Sequence, residues 1–274
     1  MTSRSEADIF YKINNDAKAD KTLRLLASRY HEISYNDFLD LLFEYLVEFL
    51  DEIESQPESY TAADEDTITR YIASLLKATK VFQASSQTYS GGAVDLTVKL
   101  RQHEWIAEAK IAYSNDKIFE GLLQLLTRYK KSATHKGLLV YVQAGTLKDK
   151  VNSWTGYLCP EEGGWINYVE VSKNPENQDL IRELMLSCGD YKKLAHNKFD
   201  CNFSIDNGIR VAVRNFFLDL TFRPADISGN KAKKHRKNRA INELKSLYYE
   251  YLQNPPKELD TEKVLKYLEM LCRE

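Results

Sequence analysis

Between residues 34 and 54 the apolar side chains recur at helical spacing. Phe38, Leu41, Leu42, Tyr45, Leu46 and Phe49 sweep a wide arc, while Asp37, Asp40, Glu44, Glu48 and Asp51 gather on one stripe. A helix apolar over so much of its girth is expected to be buried or self-associating. Ser34 with Asp37 three positions on is a helix start, and Gln56-Pro57 a stop. Ile68, Tyr71, Ile72, Leu75 and Leu76 predict a second helix over about 62–78. The period then changes. After Gly91-Gly92, residues 93–100 and 105–112 read as the two strands of a β-hairpin, 116–131 return to helical spacing, and 137–142 form the short apolar run of a buried strand. Further on the pattern weakens: 165–171 and 209–222 read as strands or part-strands, 177–187 as a helix, and the chain from Ala240 onward as helical with a break at Pro255-Pro256.

The order helix, hairpin, helix, strand implies an α/β fold with a mixed sheet and helices packed against it. At 274 residues, 43% hydrophobic and 28% charged, the chain can bury a sizeable core. Its formal net charge of −2 means that attraction to nucleic acid must come from local patches. The densest basic run is 231–239, after Ser228-Gly229-Asn230. There Lys233, Lys234, Arg236 and Lys237 are candidates to neutralise phosphates, the alternative being a solvated, mobile segment. The four cysteines have no Cys-x-x-Cys pair, and Cys188, His196 and Cys201 match no common zinc spacing, which suits reduced thiols. No apolar stretch resembles a signal or membrane-spanning segment, so a cytoplasmic protein that does not contact membranes is expected.

The candidate chemistry lies in the hairpin. Side chains two apart on a strand share a face, so Glu108 and Lys110 project together. If Leu100 pairs with Trp105 across a four-residue loop, Asp95 stands opposite Lys110, and Thr97 opposite Glu108. Two carboxylates and an ammonium then converge among apolar neighbours. A hard divalent cation accounts for that: Mg²⁺, with Mn²⁺ as substitute, takes one or two carboxylates plus waters and substrate phosphate. Asp95 and Glu108 supply the carboxylates, and the Ala109 carbonyl is a further candidate ligand. Glu243-Leu244-Lys245 repeats the Glu-x-Lys spacing but sits in a helical segment, so context is what discriminates.

Gly-Gly-x-Val-Asp, a short hairpin, Trp-Ile-x-Glu-x-Lys and a following helix together resemble the PD-(D/E)XK nuclease superfamily, the restriction-endonuclease-like fold, over about residues 62–143. Ala93-Val94 precedes Asp95 where the name-giving proline would stand. The resemblance implies that Asp95, Glu108 and Lys110 are the catalytic Asp, Glu and Lys, and that Glu65, on the helix before the hairpin, adds an acid to the metal site. It also implies a glutamine-and-tyrosine helix at 121–129. Tyr129 lies five residues after Gln124 instead of the usual four, and Arg128 holds the fourth position. Gln124 is thus a candidate at the catalytic carboxylates, while Arg128 and Tyr129 are candidates for contact with nucleic acid.

The expectation is therefore a Mg²⁺-dependent endonuclease hydrolysing DNA. Its PD-(D/E)XK core spans about 58–225, with an N-terminal helical extension (1–57) and a basic segment with C-terminal helices (226–274). Two strands are cut most easily by two active sites, so a homodimer is expected. The resemblance further implies a prokaryotic anti-phage defence effector, with a possible partner defence protein. The alternatives are a repair or junction-resolving nuclease, an RNase, or a catalytically silent nuclease-fold module that binds nucleic acid or a protein.

Overall fold

The computed structural model describes residues 8–9, 11–13, 20–89, 93–129, 133–171, 175–189, 191–205, 208–223, 230–253 and 258–272; Gly91-Gly92, Ser228-Gly229 and Pro255-Pro256 lie outside them. Local capping chemistry sets the first elements. After α1 (Lys21–Ser28), Ser34 Oγ accepts the Asp37 N–H at 3.1 Å and Asp37 accepts the Ser34 N–H at 3.1 Å, the reciprocal box that opens α2 (Tyr35–Glu54). Pro57, whose missing N–H is harmless in a first turn, starts the short α3 (Pro57–Tyr60). Asp64 accepts the Thr67 N–H at 2.8 Å and opens α4 (Glu65–Ala78), so Glu65 falls in the first turn.

Seven strands follow: β1 (Gln83–Tyr89), β2 (Ala93–Leu100), β3 (His103–Ile111), β4 (His135–Val142), β5 (Lys192–Ala195), β6 (Lys198–Ile205) and β7 (Ile209–Asp219). They form one mixed sheet in the order β1-β2-β3-β4-β7-β6-β5. β3, β4 and β7 are parallel, and the outer pairs are antiparallel. One face is covered by α1, α2 and α4. The other carries α5 (Asn115–Thr127), α6 (Leu147–Tyr157), α7 (Trp165–Glu170) and α8 (Pro175–Leu186). The chain is thus α/β, a mixed sheet flanked by helices. Central β4 is buried on both faces, which is why its sequence reads as an unbroken apolar run. The buried Lys136 is the exception. Its ammonium donates to the Leu125 carbonyl in the last turn of α5 at 2.5 Å, and burial alone pulls its pKa down to about 8.

Several expectations change here. The apolar arc of α2 is used up inside the chain: Phe38, Leu42 and Leu46 are fully buried in the same core as Trp105, Leu139 and Phe216. The buried alternative therefore holds: α1 and α2 share one core with α4 and the sheet, so the apolar arc of α2 gives no separate ground for self-association. Residues 165–171, read as strand, are helical, because the two buried side chains Trp165 and Val169 lie four apart, one helical turn. β1, α6, β5 and β6 are additions to the elements that the sequence pattern predicts.

The hairpin register is shifted by two. Arg101 adopts φ 54°, a left-handed value that allows a tight two-residue turn, so Leu100 pairs with His103 and Trp105 with Val98. Thr97 stands opposite Ile106, not Glu108. A slip of two preserves the face of every side chain, whereas a slip of one would have turned the acids into the opposite layer.

The basic run is the start of a 22-residue helix, α9 (Asn230–Tyr251), followed by α10 (Thr261–Cys272). Lys233, Lys234 and Lys237 are exposed, Arg236 is half-buried, and Ala232 and Ala240 are buried beneath them. No helix among the described residues is long and apolar enough to cross a membrane.

Candidate active site

β2 and β3 bring Asp95, Glu108 and Lys110 together. The paired ladder runs as far as Leu96 and Ala107; one step beyond it Asp95 accepts the Ala109 N–H at 2.8 Å. In a strand the N–H and C=O of one residue point to the same side, so the Ala109 carbonyl faces the side from which Asp95 approaches. Lys110 Nζ lies 2.7 Å from Glu108 Oε1 and 3.8 Å from Asp95 Oδ2. One ammonium thus bridges two carboxylates.

Glu108 is only 2% exposed, and its second oxygen accepts the Tyr129 hydroxyl at 3.0 Å. Burial drives its carboxyl up to about 7, against the pull of Lys110. Burial also works against the charge of Lys110, but the Glu108 carboxylate, backed by Asp95 and Glu65, more than restores it, and the ammonium is held above the ordinary lysine range. Helix α5 can lie against this pair because Gly121 has no side chain. A Cβ there would stand 2.9 Å from Lys110 Cγ and 3.3 Å from Glu108 Cγ.

Glu65, in the first turn of α4, reaches the same edge of β3 as Asp95. Its Oε1 accepts the Ile111 N–H at 2.8 Å, and burial raises its carboxyl above the usual range. Tyr129, expected to contact nucleic acid, is 3% exposed and directs its hydroxyl to Glu108. It lies beyond the last turn of α5, where the chain bends back toward β3, so the five-residue spacing from Gln124 delivers the tyrosine and not the glutamine to the carboxylate. Gln124 and Arg128 instead line a groove with Tyr168 and Asn177, and the buried Gln124 Oε1 has no hydrogen-bond partner among the described residues. The roles of Tyr129 and Gly121 do not follow from the sequence reading. The glycine one helical turn before Leu125 is the available signal, since glycine inside a helix lowers its stability unless something must come close.

Among the described residues no group of three or more His, Cys, Asp or Glu is arranged to hold a metal ion. The donor set nevertheless fits Mg²⁺. Two carboxylates share one positive charge, a carbonyl faces the same side, and the buried Glu108 is costly to ionise without a cation. Glu243 and Lys245, the repeated spacing, are on α9. Glu243 accepts the Gly145 N–H at 3.4 Å, and Lys245 lies over the Tyr113 ring.

The raised Glu108 carboxyl has a measurable consequence for the metal-free protein. Its folded pKa of about 7 exceeds the reference 4.5, so the native state holds this proton more tightly than the unfolded chain, and stability falls as pH rises through that window. Glu108→Gln fixes the neutral form. In EDTA its melting temperature is expected to match or exceed wild type at pH 8, with the difference closing near pH 4. A variant that melts well below wild type at pH 8 would show that the charged pair stabilises the fold.

No family model matches the chain, and neither does any curated protein or solved structure.

Proposed function

We propose that this chain is a divalent-metal-dependent nuclease of the PD-(D/E)XK kind, a restriction-endonuclease-like core that hydrolyses phosphodiester bonds in DNA. The observation that carries the reading is the Asp95–Lys110–Glu108 bridge, with a carboxyl held near neutrality inside an apolar sheet. Asp95 and Glu108, with the Ala109 carbonyl and Glu65, would hold Mg²⁺ or Mn²⁺. The bound ion supplies Lewis-acid stabilisation of the phosphoryl oxygens and acidifies a water.

The chain's own groups do the rest. Tyr129 fixes the Glu108 rotamer by its hydrogen bond, and Ala109 N–H fixes that of Asp95, so neither carboxylate must reorganise. Lys110, beside both carboxylates, would orient the attacking water or neutralise charge developing on the phosphoryl oxygens. Gly121 leaves the stems of Lys110 and Glu108 the room they occupy beneath α5. Arg128, exposed at the C-terminal cap of α5, is available to a phosphate. A homodimer would place two such sites on a duplex, with a surface other than α2 at the contact. A cytoplasmic role in anti-phage defence, with or without a partner protein, belongs to the proposal by resemblance.

The test is incubation of purified protein with supercoiled plasmid, single-stranded DNA and RNA, in Mg²⁺ or Mn²⁺ and in EDTA. Metal-dependent loss of supercoiled DNA is the expected result. Cleavage of RNA alone would move the reading to an RNase. No cleavage of any substrate, together with no metal binding by calorimetry, would leave the silent binding module.

Lys233, Lys234 and Lys237 project from the exposed side of α9. Replacing all three by Ala should weaken binding to duplex DNA and lower the slope of log K against log salt by about one unit for each phosphate no longer neutralised, with little change in sequence preference. An unchanged slope would remove this helix from the DNA interface.

A further inference from the structure

The three parallel strands β3, β4 and β7 end at one rim, and the chain leaves that rim through Ser114, Gly145 and Arg223. All three residues line a single cavity of about 400 Å³, whose opposite wall is formed by α9 and α10. The crevice beyond the carboxyl ends of parallel strands is where open α/β sheets receive ligands, because helix N-termini gather there. Here Ser114 caps α5 and Thr146 caps α6, so two first turns, with N–H groups that have no acceptor inside their helix, open onto the same space.

The walls carry four cations, Lys150, Arg223, Arg239 and Lys263, and three acids. Each acid is already engaged. Asp149 accepts the Thr146 hydroxyl at 2.6 Å, Glu243 the Gly145 N–H at 3.4 Å and Glu250 the Lys150 ammonium at 3.3 Å. Lys263 is held by Asp260 at 3.0 Å, and Arg223 donates to the Gly145 carbonyl. Arg239 differs. Its Nε is fully buried and has no acceptor among the described residues. That nitrogen is closed to the cavity, but the residue lines it, and its guanidinium has no ion pair among the described residues, so an oxyanion in the cavity would gain a charge-assisted hydrogen bond from it.

We infer that this cavity binds a phosphate-bearing small molecule, its oxyanion received by Arg239, Arg223 and the first-turn N–H groups of α5 and α6. The volume suits a ligand of nucleotide size. Such an occupant would join the two walls. α9 already reaches the core through Asn242, which donates to the Thr61 carbonyl, and through Ser246, which donates to the Tyr113 carbonyl at 3.1 Å. Tyr113 stacks on Tyr249 of α9 at 5.5 Å and lies two residues beyond Ile111, whose N–H holds Glu65. Occupancy would therefore clamp α9 onto the strand end that carries Glu65. The inference stands on the cavity and does not need the chain to cut nucleic acid.

Calorimetry and thermal unfolding of the full chain, in EDTA and with sodium pyrophosphate, ATP or a DNA duplex as separate probes, test it. Wild type should bind pyrophosphate or ATP and melt at higher temperature in its presence. Arg239→Gln and Arg223→Gln should each bind about tenfold more weakly or worse, while Lys193→Ala, on the far edge strand, binds as wild type. Arg223 is exposed, so its variant keeps the test usable if Arg239→Gln fails to fold. Absence of pyrophosphate and ATP binding at millimolar concentration overturns the inference, and so does undiminished binding in both Gln variants that fold. If the duplex alone binds and Arg239→Gln weakens it, the oxyanion is a backbone phosphate and the small-molecule site is wrong.

Discussion

Asp95→Ala, Glu108→Ala and Lys110→Ala should each lower metal-dependent plasmid cleavage by ~10³-fold or more, with the circular dichroism of the folded protein retained. The three losses differ in kind. Removing Asp95 or Glu108 deletes a hard oxygen donor, so calorimetric Mg²⁺ or Mn²⁺ affinity should fall together with the rate. Removing Lys110 leaves both carboxylates in place. Metal binding should therefore survive or strengthen, because the ammonium no longer competes at 2.7 Å, and only the chemical step should suffer. Metal affinity should also rise with pH through about 7 in the wild type, since the proton on Glu108 must leave before the ion is held. That pH dependence should vanish in Glu108→Gln along with the binding. Lys193→Ala, an exposed edge-strand variant, provides the control and should cut like wild type. Cleavage by the Asp95 and Glu108 variants at the wild-type rate would place the active site elsewhere.

Gly137→Ala should destabilise the whole protein, by about 3 kcal/mol or more in denaturant unfolding. Gly137 lies on β4 opposite Ala107 of β3, and a Cβ there would stand 2.1 Å from Trp105 Cζ2 and 3.0 Å from Ala107 Cβ. Trp105 is fully buried and meets the edge of the Phe43 ring of α2 at 5.8 Å, so the indole has nowhere to retreat. The same change at Gly121 should behave differently. Its new methyl would press chiefly on the stem of Lys110, a long side chain that is partly exposed and can shift, and lie 3.3 Å from the buried Glu108 stem, so stability should fall less than at Gly137 while cleavage falls by about one to two orders of magnitude. The pair separates a glycine that sets the packing of two strands from one that leaves room for the site. Equal destabilisation of both variants, measured as urea midpoints, would remove that distinction.

Much of the site is legible in the sequence because β-strand geometry is so restrictive. A period of two puts Glu108 and Lys110 on one face whatever the register, and Asp95 on the neighbouring strand joins them under either a two-residue or a four-residue loop. Ser34 with Asp37 and the apolar arc behind them likewise announce α2 by local chemistry alone. Phe199, Cys201, Phe203 and Ile205 alternate cleanly with polar neighbours in β6, so that strand is open to a reading by period two. The polar edge strand β1 is not, because a strand paired on one side needs no apolar signature. The run 165–171 misleads through its aromatic and β-branched composition, when the spacing of Trp165 and Val169 carries the helical answer.

By itself, then, the sequence determined α2, the order helix, hairpin, helix, strand over about 62–143 and which side chains of the hairpin share a face, together with the convergence of two carboxylates and a lysine. Each of these depends on interactions between residues close together along the chain. Only the tertiary structure decided the rest. A side chain's surroundings are set by chain segments far away in sequence: burial of α2 depends on strands up to β7, and the Tyr129 contact on how the chain turns after α5. The Arg239 cavity joins the ends of three strands to helices more than a hundred residues from the first of them. The neutral-range carboxyl of Glu108 belongs to the same class, since burial is a property of the packed molecule and no local pattern encodes it.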